Sequence, residues 1–443
     1  MTMHLEERYA LLDVTVVDGL GAPPREGTAV VVDRGEIAAV VPMAEYRRAG
    51  DVQEVDCGGH FVTPGLIDAH VHLAGGRAGM EDQELGVLME PKLVRAVRSV
   101  AEAQALLKRG FTAVRDISWN GLYLKRVFRE GSLPGPRVIA CGPGLCRTGG
   151  HGDAFQYEED YVVRNHFWAV LADGPDEIRK AVRRLLREGA DQVKVWASGG
   201  DNWANDRNRD QHYTLEELQV AVAEAHMQKG TLVCSHAENL QSARDSVAAG
   251  ADTIEHGEEL DEALCEEMAA RGVILVPTLE LLVTWFTHFA ATTDAPIEHL
   301  RPQVFLHRDV DEVPDADSGR RYAQGVIDNV RMARAKGVKI ALGSDTVFTP
   351  LTPYGEYSAR EFKALVQYGG MTTLEAIEAA THTAAEALGM AHRLGSIEAG
   401  KAADMLVVTR DPTADPEVLY DAANIRWVLA GGRLAVEEGR LAF

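Results

Sequence analysis

Short apolar runs alternate with longer amphipathic segments through the middle of the chain, from about residue 66 to residue 344. The short runs are rich in β-branched residues, which is typical of buried strands, and the longer segments repeat their apolar residues at a helical period. Strands that alternate with helices form parallel sheets, and eight such units favour a closed barrel. The pattern therefore predicts an α/β fold, and within that class a TIM (β/α)8 barrel.

The elements are predicted individually from the same pattern. The eight predicted strands are Leu66–His70, Ala113–Asp116, Val138–Cys141, Val193–Trp196, Leu232–His236, Thr253–His256, Ile274–Pro277 and Ile340–Ser344. The predicted helices include Val94–Lys108, Pro175–Glu188, Leu215–Lys229, Asp261–Arg271 and Gly325–Lys336.

Both ends of the chain have a strand pattern without helices. A strand-like run begins at Tyr9, and two predicted hairpins turn at Arg34-Gly35 and at Gly431-Gly432. Neither end is long enough to build a good core alone. We therefore predict one small β-sandwich domain from residues 1–62 and 398–443, which flanks a barrel domain of residues 63–397.

A long connection, residues 278–321, separates the seventh and eighth predicted strands. Connections of this length in compact domains are usually lids or disordered inserts. This one contains Trp285, Phe286 and Phe289, and these aromatic residues favour an ordered lid over a flexible insert.

Composition and charge restrict the possible functions. The 443 residues are 46% hydrophobic and carry a net charge of -22, which argues against nucleic-acid binding and against docking to anionic lipid. The five cysteines are odd in number and suggest a reducing compartment. Neither a signal-peptide pattern nor a run of eighteen apolar residues occurs. We expect a cytoplasmic protein that acts on a small molecule or peptide and forms a homo-oligomer.

Candidate metal ligands stand where the predicted strands end. His70 and His72 lie two apart on the first strand, so their side chains point the same way and could grip one cation. Alone this motif is weak, because His-x-His occurs by chance. The other polar residues at strand ends, where TIM-barrel sites form, are Lys194, His236, His256 and Asp345.

Imidazole and carboxylate groups suit zinc and similar divalent ions. The lysine needs a separate explanation, since Val193 and Val195 flank Lys194 and a buried ammonium without a partner is costly. A carboxylated lysine would resolve this, because the carbamate is an anion that can bridge two metals.

With these residues in place, the sequence resembles the amidohydrolase superfamily, over nearly the whole chain. The similar segments are Thr63-Pro-Gly-Leu-Ile-Asp-Ala-His-Val-His, the Lys194 strand, Thr253-Ile-Glu-His-Gly, Gly343-Ser-Asp and the tail from Gly395 to Val408. Within the superfamily, Thr148-Gly-Gly-His-Gly-Asp and Val193-Lys-Val-Trp-Ala-Ser-Gly-Gly resemble the imidazolonepropionase-like and Xaa-Pro dipeptidase-like branch.

The resemblance implies a binuclear hydrolase of amide or peptide C–N bonds, with two divalent metals, expected to be Zn²⁺. His70, His72 and Asp345 would hold one metal, His236 and His256 the other, and carboxylated Lys194 would bridge them. A metal-bridging hydroxide would attack the substrate carbonyl. Asp345 would take its proton and pass it to the leaving amine.

Three further residues are candidates for substrate contact. His151 stands among Gly149, Gly150 and Gly152, and in similar enzymes this histidine faces the substrate carbonyl; the alternative is a histidine that fixes a turn. Tyr213, in a polar loop, and Arg115, at the end of the second strand, could bind polar groups of the substrate, although Arg115 could equally form a structural pair.

The sequence leaves the substrate open. Asn239 and Lys194 speak against a deaminase, because superfamily deaminases usually have His-x-x-Glu after the fifth strand and lack the lysine. Dipeptidase- or carboxypeptidase-like action on small peptides or N-acyl amino acids is the leading expectation. The alternatives are trimming of a peptide natural product, hydrolysis of a xenobiotic amide, urea or carbamate, a mononuclear enzyme, and a non-catalytic scaffold.

Overall fold

A computed structural model of the chain describes residues 4–77, 87, 89–155, 157–165, 168–200, 206–283, 316–347 and 352–442. Strands occupy both ends and alternate with helices in the middle. The strands are β1 (Arg8–Val16), β2 (Arg25–Asp33), β3 (Glu36–Pro42), β4 (Gln53–Asp56), β5 (Phe61–Pro64), β6 (Leu66–Val71), β7 (Phe111–Asp116), β8 (Arg137–Ala140), β9 (Gly144–Cys146), β10 (Ala169–Leu171), β11 (Val193–Trp196), β12 (Val233–Ala237), β13 (Thr253–His256), β14 (Ile274–Val276), β15 (Met405–Val408), β16 (Ile425–Ala430), β17 (Arg433–Glu437) and β18 (Arg440–Leu441).

Most of the helices follow a strand of the middle region. They are α1 (Lys92–Lys108), α2 (Gly121–Arg129), α3 (Glu159–Asn165), α4 (Gly174–Glu188), α5 (Leu215–His226), α6 (Leu240–Ala249), α7 (Glu262–Arg271), α8 (Ala316–Ala335), α9 (Glu356–Gln367), α10 (Thr373–Ala379), α11 (His382–Ala387) and α12 (Glu417–Tyr420). Among the residues described, no helix has the length and apolar character needed to cross a bilayer.

Local sequence explains where these helices begin and end. In α5, Thr214 and Glu217 form a reciprocal capping box, which satisfies two amide groups at the start of the helix. In α4, Ile178, Ala181, Val182 and Leu185 recur at a helical spacing and are buried, and the helix ends at Gly189 with a left-handed φ of 100°. The amphipathic pattern therefore predicts both the helix and its buried face.

The strands of the middle region are parallel, so the predicted α/β class is confirmed. They form one sheet of order β6-β7-β8 and a second of order β10-β9-β11-β12-β13-β14. Seven of the eight predicted strands are present. Because parallel strands end at the same edge, their C-terminal residues face a common space.

The eighth predicted strand, Ile340–Ser344, is wrong as a regular strand. This segment forms only isolated bridges, between Ile340 and Leu275 of β14 and between Thr346 and Val71 of β6. The regular ladder is interrupted because Leu342 donates its amide to Ala379 outside the sheet and Asp345 has a left-handed φ of 55°. Its backbone still lies between β14 and β6, with Asp345 donating its amide to the His70 carbonyl at 2.8 Å.

Strands from both ends of the chain form one nine-stranded sheet, in the order β18-β17-β16-β15-β5-β1-β2-β3, with β4 paired to β1. Both predicted hairpins are present, and their turn residues Arg34, Gly35, Gly431 and Gly432 have left-handed φ values, as two-residue hairpin turns require. The sheet has its own apolar cluster, which includes Tyr9, Leu11, Val407 and Trp427. The N-terminal and C-terminal segments therefore share one core.

Candidate metal centre

The six residues predicted as metal ligands lie in the parallel strands or directly beside them. His70 lies near the C-terminal end of β6, and His72 directly follows that strand. Lys194 is in β11. His236 and His256 lie at the ends of β12 and β13, and Asp345 lies in the irregular segment between β14 and β6.

Donor atoms of these residues converge. Asp345 Oδ1 lies 2.9 Å from His72 Nε2 and 3.5 Å from His70 Nε2. Ligand atoms of His70, His256 and Asp345 all lie within 4.8 Å of one another, and so do those of His236, Glu238 and His256. The two groups share His256 and are mostly buried, so the arrangement could hold metal at two neighbouring positions.

Three of the four histidines make a contact through Nδ1, which leaves Nε2 as the possible ligand, whereas His236 makes its contact through Nε2. His70 Nδ1 contacts Glu255 at 2.7 Å, His72 Nδ1 contacts the Ile117 carbonyl at 2.8 Å, His256 Nδ1 contacts Thr278 Oγ1 at 2.8 Å, and His236 Nε2 contacts the Gly199 carbonyl at 3.1 Å.

Burial keeps three of these imidazoles neutral. It lowers the pKa of His70 and His236 well below the usual value, and it lowers the pKa of His256 to about 3. For Asp345, burial acts to raise the pKa, but the nearby imidazoles of His70 and His72 outweigh it, so the net pKa is lowered. A neutral imidazole and an ionised carboxylate are the forms that bind a cation.

The surroundings of Lys194 indicate whether this residue could bridge a pair of metals. Its side chain is fully buried, its Nζ has no hydrogen-bond partner among the described residues, and burial lowers its pKa. A buried polar atom without a partner is costly. Carboxylation of the amine would convert it to an anionic ligand beside the imidazoles. The donor set is therefore compatible with the two divalent metals that the sequence suggests.

Three residues around the site have left-handed backbone conformations that side chains rarely adopt. They are His256 with φ of 68°, Thr278 with φ of 46° and Asp345 with φ of 55°. Such residues cost about 1–3 kcal/mol each and cluster at functional sites, where the surrounding structure holds them.

His151 lies beside the histidine cluster. Its ring stacks on His236 with centroids 4.5 Å apart and an interplanar angle of 24°. Its Nδ1 lies 2.6 Å from Asp206 Oδ2, and Asp206 is fully buried and also accepts the Gly200 amide. The structure thus places His151 next to a predicted ligand, on a loop that Asp206 helps to fix.

Arg115 and Tyr213, which the sequence suggests as substrate contacts, are both buried and paired with other residues of the protein. The Arg115 side chain is fully buried and forms an ion pair with Glu255 at 2.6 Å. Tyr213 is buried among the residues between α4 and α5, and its hydroxyl donates to the Ala172 carbonyl at 2.9 Å. Both side chains are committed to interior contacts.

Sequence reasoning missed several residues of the site. Glu238 lies 3.5 Å from His236 Nε2 through its carboxylate, and a search for ligand residues two positions after His236 would have found it. Glu255 could have been suspected as a carboxylate within a barrel strand. Asp206 and Thr278 lie outside regular strands, and no periodic signal marks them.

An apolar cluster adjoins the histidines on one side. The Trp168 ring packs edge-on against His72 with centroids 4.8 Å apart, and Trp168 belongs to a cluster with Ala74, Ala154 and Tyr354. Of the predicted lid, residues 284–315 lie outside the described residues.

Comparison with known proteins identifies relatives over the whole length. The model of the amidohydrolase family matches residues 61–435. The chain is 30% identical to an ochratoxinase of Aspergillus niger over 439 residues, which cover 95% of this chain and 85% of that protein. The crystal structure of A. niger ochratoxinase matches with a TM-score of 0.84 and 26% identity, covering 97% of this chain and 96% of that one.

Two peptidase structures are also similar. A prolidase complexed with N-methylphosphonate-L-proline matches with a TM-score of 0.81 and 30% identity, covering 97% of this chain and all of that one. A Xaa-Pro dipeptidase with bound methionine matches with a TM-score of 0.81 and 27% identity, with the same coverage.

Proposed function

Because this chain belongs to the amidohydrolase family and is a hydrolase of C–N bonds, we propose that it cleaves the amide bond of small peptides and N-acyl amino acids. The observation that carries the proposal is the convergence of two ligand groups that share His256, beside a buried lysine amine that has no hydrogen-bond partner in the part of the chain that the structure describes. The prolidase and the Xaa-Pro dipeptidase support this substrate class, as relatives with the same fold.

His70, His72 and Asp345 would hold one divalent metal, His236 and His256 a second, and carboxylated Lys194 would bridge them; zinc is the expected ion. When bound, the metals would supply a water that ionises near neutral pH and a Lewis acid for the substrate carbonyl. Glu238 could add a carboxylate ligand to the second metal, because its ligand atom lies within 4.8 Å of those of His236 and His256.

Asp345 is the residue that would move the proton. An aspartate is ionised at neutral pH, so it can accept a proton from the attacking water. Its lowered pKa would make it release that proton readily to the leaving nitrogen. Its Oδ1 lies 3.5 Å from His70 Nε2 and 2.9 Å from His72 Nε2, and so beside the proposed metal. From this position it would pass the proton to the leaving nitrogen as the C–N bond breaks.

His151 and the cluster around Trp168 would form two sides of the substrate pocket. His151 is held by Asp206 against His236, so it would orient the carbonyl of the scissile amide. The Trp168 cluster on the His72 side would take an apolar part of the substrate and exclude water.

A second substrate class is favoured by one observation, the similarity to ochratoxinase over almost the entire chain. It would be a xenobiotic or natural-product amide, and its hydrolysis would use the same site.

We further propose that the parallel strands close into a (β/α)8 barrel of residues 63–397, flanked by a β-sandwich of residues 1–62 and 398–443. The bridges from Leu275 to Ile340 and from Val71 to Thr346 support closure, because they join β14 to β6 through the irregular segment.

The test is hydrolysis by the purified, zinc-loaded enzyme of a library of dipeptides and N-acyl amino acids, with xenobiotic amides as the competing panel. We expect two metal equivalents per chain and the highest kcat/KM in one of these panels. One equivalent would point to a mononuclear enzyme, and metal binding with no hydrolysis of either panel would contradict the proposal. His151→Asn should lose activity and retain metal.

A further inference from the structure

Arg115 and Glu255 form an ion pair in the interior, beneath the histidine cluster. Arg115 Nη2 lies 2.6 Å from Glu255 Oε1, and neither side chain has any exposed surface. Arg115 Nε also donates to the Ala69 carbonyl at 2.5 Å, one residue before His70. A buried ion pair adds little net stability compared with packed apolar residues, so its position against His70 suggests another use.

The two oxygens of Glu255 have different partners. Oε1 contacts Arg115 and accepts from the Thr253 hydroxyl at 2.5 Å, while Oε2 lies 2.7 Å from His70 Nδ1. An ionised carboxylate can only accept hydrogen bonds. His70 Nδ1 therefore carries the hydrogen, and Nε2, which lies 3.5 Å from Asp345 Oδ1, carries the lone pair.

We infer that Arg115 and Glu255 are positioning residues that fix the tautomer and ring orientation of His70, so that Nε2 faces Asp345 and the proposed metal. The inference rests on the proposed function for the presence of the metal, but the contacts of Glu255 with Arg115 and His70 do not depend on it. Arg115 acts through Glu255: it holds Oε1, which leaves Oε2 for His70.

The contacts of Glu255 with Arg115 and His70 predict that Glu255→Gln changes the tautomer of His70. Arg115 has only donors, and so it would attract the amide oxygen of the new side chain to the Oε1 position. The amide NH₂ would then face His70 Nδ1, which must accept, and the hydrogen would move to Nε2. Partners of metal-binding histidines are worth roughly 10–100-fold in metal affinity, so we expect a loss of that size, measured by competition with a chromogenic chelator.

Removing Arg115 as well should restore binding. In Arg115→Met/Glu255→Gln the amide is free to turn its oxygen to His70, and metal affinity should return to within about threefold of wild type, well inside the 10–100-fold loss. Arg115→Met alone removes the group that holds Oε1 and should lower metal affinity, but by less than Glu255→Gln does, because the Glu255 carboxylate still accepts from His70. A purely electrostatic role would instead make the Arg115→Met protein bind metal more tightly.

Nitrogen-15 NMR of histidine-labelled protein reports the tautomer directly, with His70→Ala to assign the signal. We expect the Nδ1–H form in wild type, with or without metal, and the Nε2–H form in Glu255→Gln. Val114→Ala, a core change on the same strand β7, serves as the control: it should lower the melting temperature without changing metal affinity.

An Nε2–H tautomer in wild-type protein would overturn the inference even if every variant failed to fold. Additive losses of affinity in the double variant, or a Glu255→Gln protein that binds metal as wild type does, would also overturn it. Because the metal-free tautomer is measured separately, a wild-type protein that binds no metal would contradict the proposed function and not this inference.

Discussion

Replacing Lys194 with methionine should have opposite effects on the metal-free and the metal-loaded protein. Methionine has a similar length and apolar character, but it has no amine. In the metal-free protein Lys194 Nζ is buried and has no hydrogen-bond partner among the residues that the structure describes. Leaving such a group unsatisfied costs about 1–3 kcal/mol, and the substitution removes this cost.

The expected shifts follow from the size of the protein. With an unfolding entropy of about 2.1 cal/mol/K per residue, a chain of 443 residues changes its melting temperature by about 1 °C for each 1 kcal/mol. The metal-free variant should therefore melt about 1–3 °C above wild type. Metal at 100 times its Kd stabilises wild type by about 2.7 kcal/mol per site, or about 3 °C, and the variant should lose most of that gain.

Differential scanning calorimetry measures both melting temperatures, first in chelator and then in zinc with bicarbonate. It tests whether the difference between variant and wild type changes sign. Lys339→Met is the matched control, because Lys339 is a half-exposed lysine paired with Glu386 at 2.7 Å, and it should show no reversal. The reasoning is refuted if the Lys194 variant melts below wild type in both conditions, or if zinc stabilises it as much as wild type.

Three further outcomes are expected. Asp345→Asn should keep most of its metal, because other ligands remain, and lose about 10²–10⁴-fold in kcat; loss of metal in step with activity, restored by excess zinc, would show that Asp345 only holds metal. Burial raises the pKa of Glu361 to about 8, so this carboxyl reduces stability as the pH rises from its unfolded value near 4.5 towards 8. Glu361→Gln should therefore gain melting temperature relative to wild type between pH 5 and pH 9, and a constant difference would contradict this. Deletion from Ile425 onwards removes β16–β18 and should destabilise the whole protein, whereas an unchanged melting curve would show that the terminal strands do not share a core.

The fold could be predicted wherever one period dominates the sequence. The β-branched runs of β11 and β13 and the spaced apolar residues of α4 identify their elements without ambiguity. The eighth strand could not be predicted correctly, because its apolar run resembles a strand while its backbone leaves the ladder at Leu342 and turns left-handed at Asp345. Those features depend on partners distant in sequence.

The candidate ligands could be identified because strand ends are local features and parallel strands bring them together. Arg115 shows the limit of that reasoning. It also ends a strand, yet its side chain is directed into the interior by Glu255, a partner 140 positions away in the sequence. Residue type and strand position thus indicate which residues belong to the region of the site, but long-range pairing decides which of them face the cleft.

The place of β5 in the nine-stranded sheet has a consequence for biosynthesis. This strand leads through Gly65 into β6, which carries His70, and it lies between β1 and β15 in the sheet. At roughly 5–20 residues per second, a ribosome takes roughly 17–70 s to proceed from β5 to β15. During that interval β5 lacks one neighbour. β5, which leads into the strand that bears His70, therefore has both of its neighbours only after β15 has been synthesised, and we expect metal insertion to follow that step.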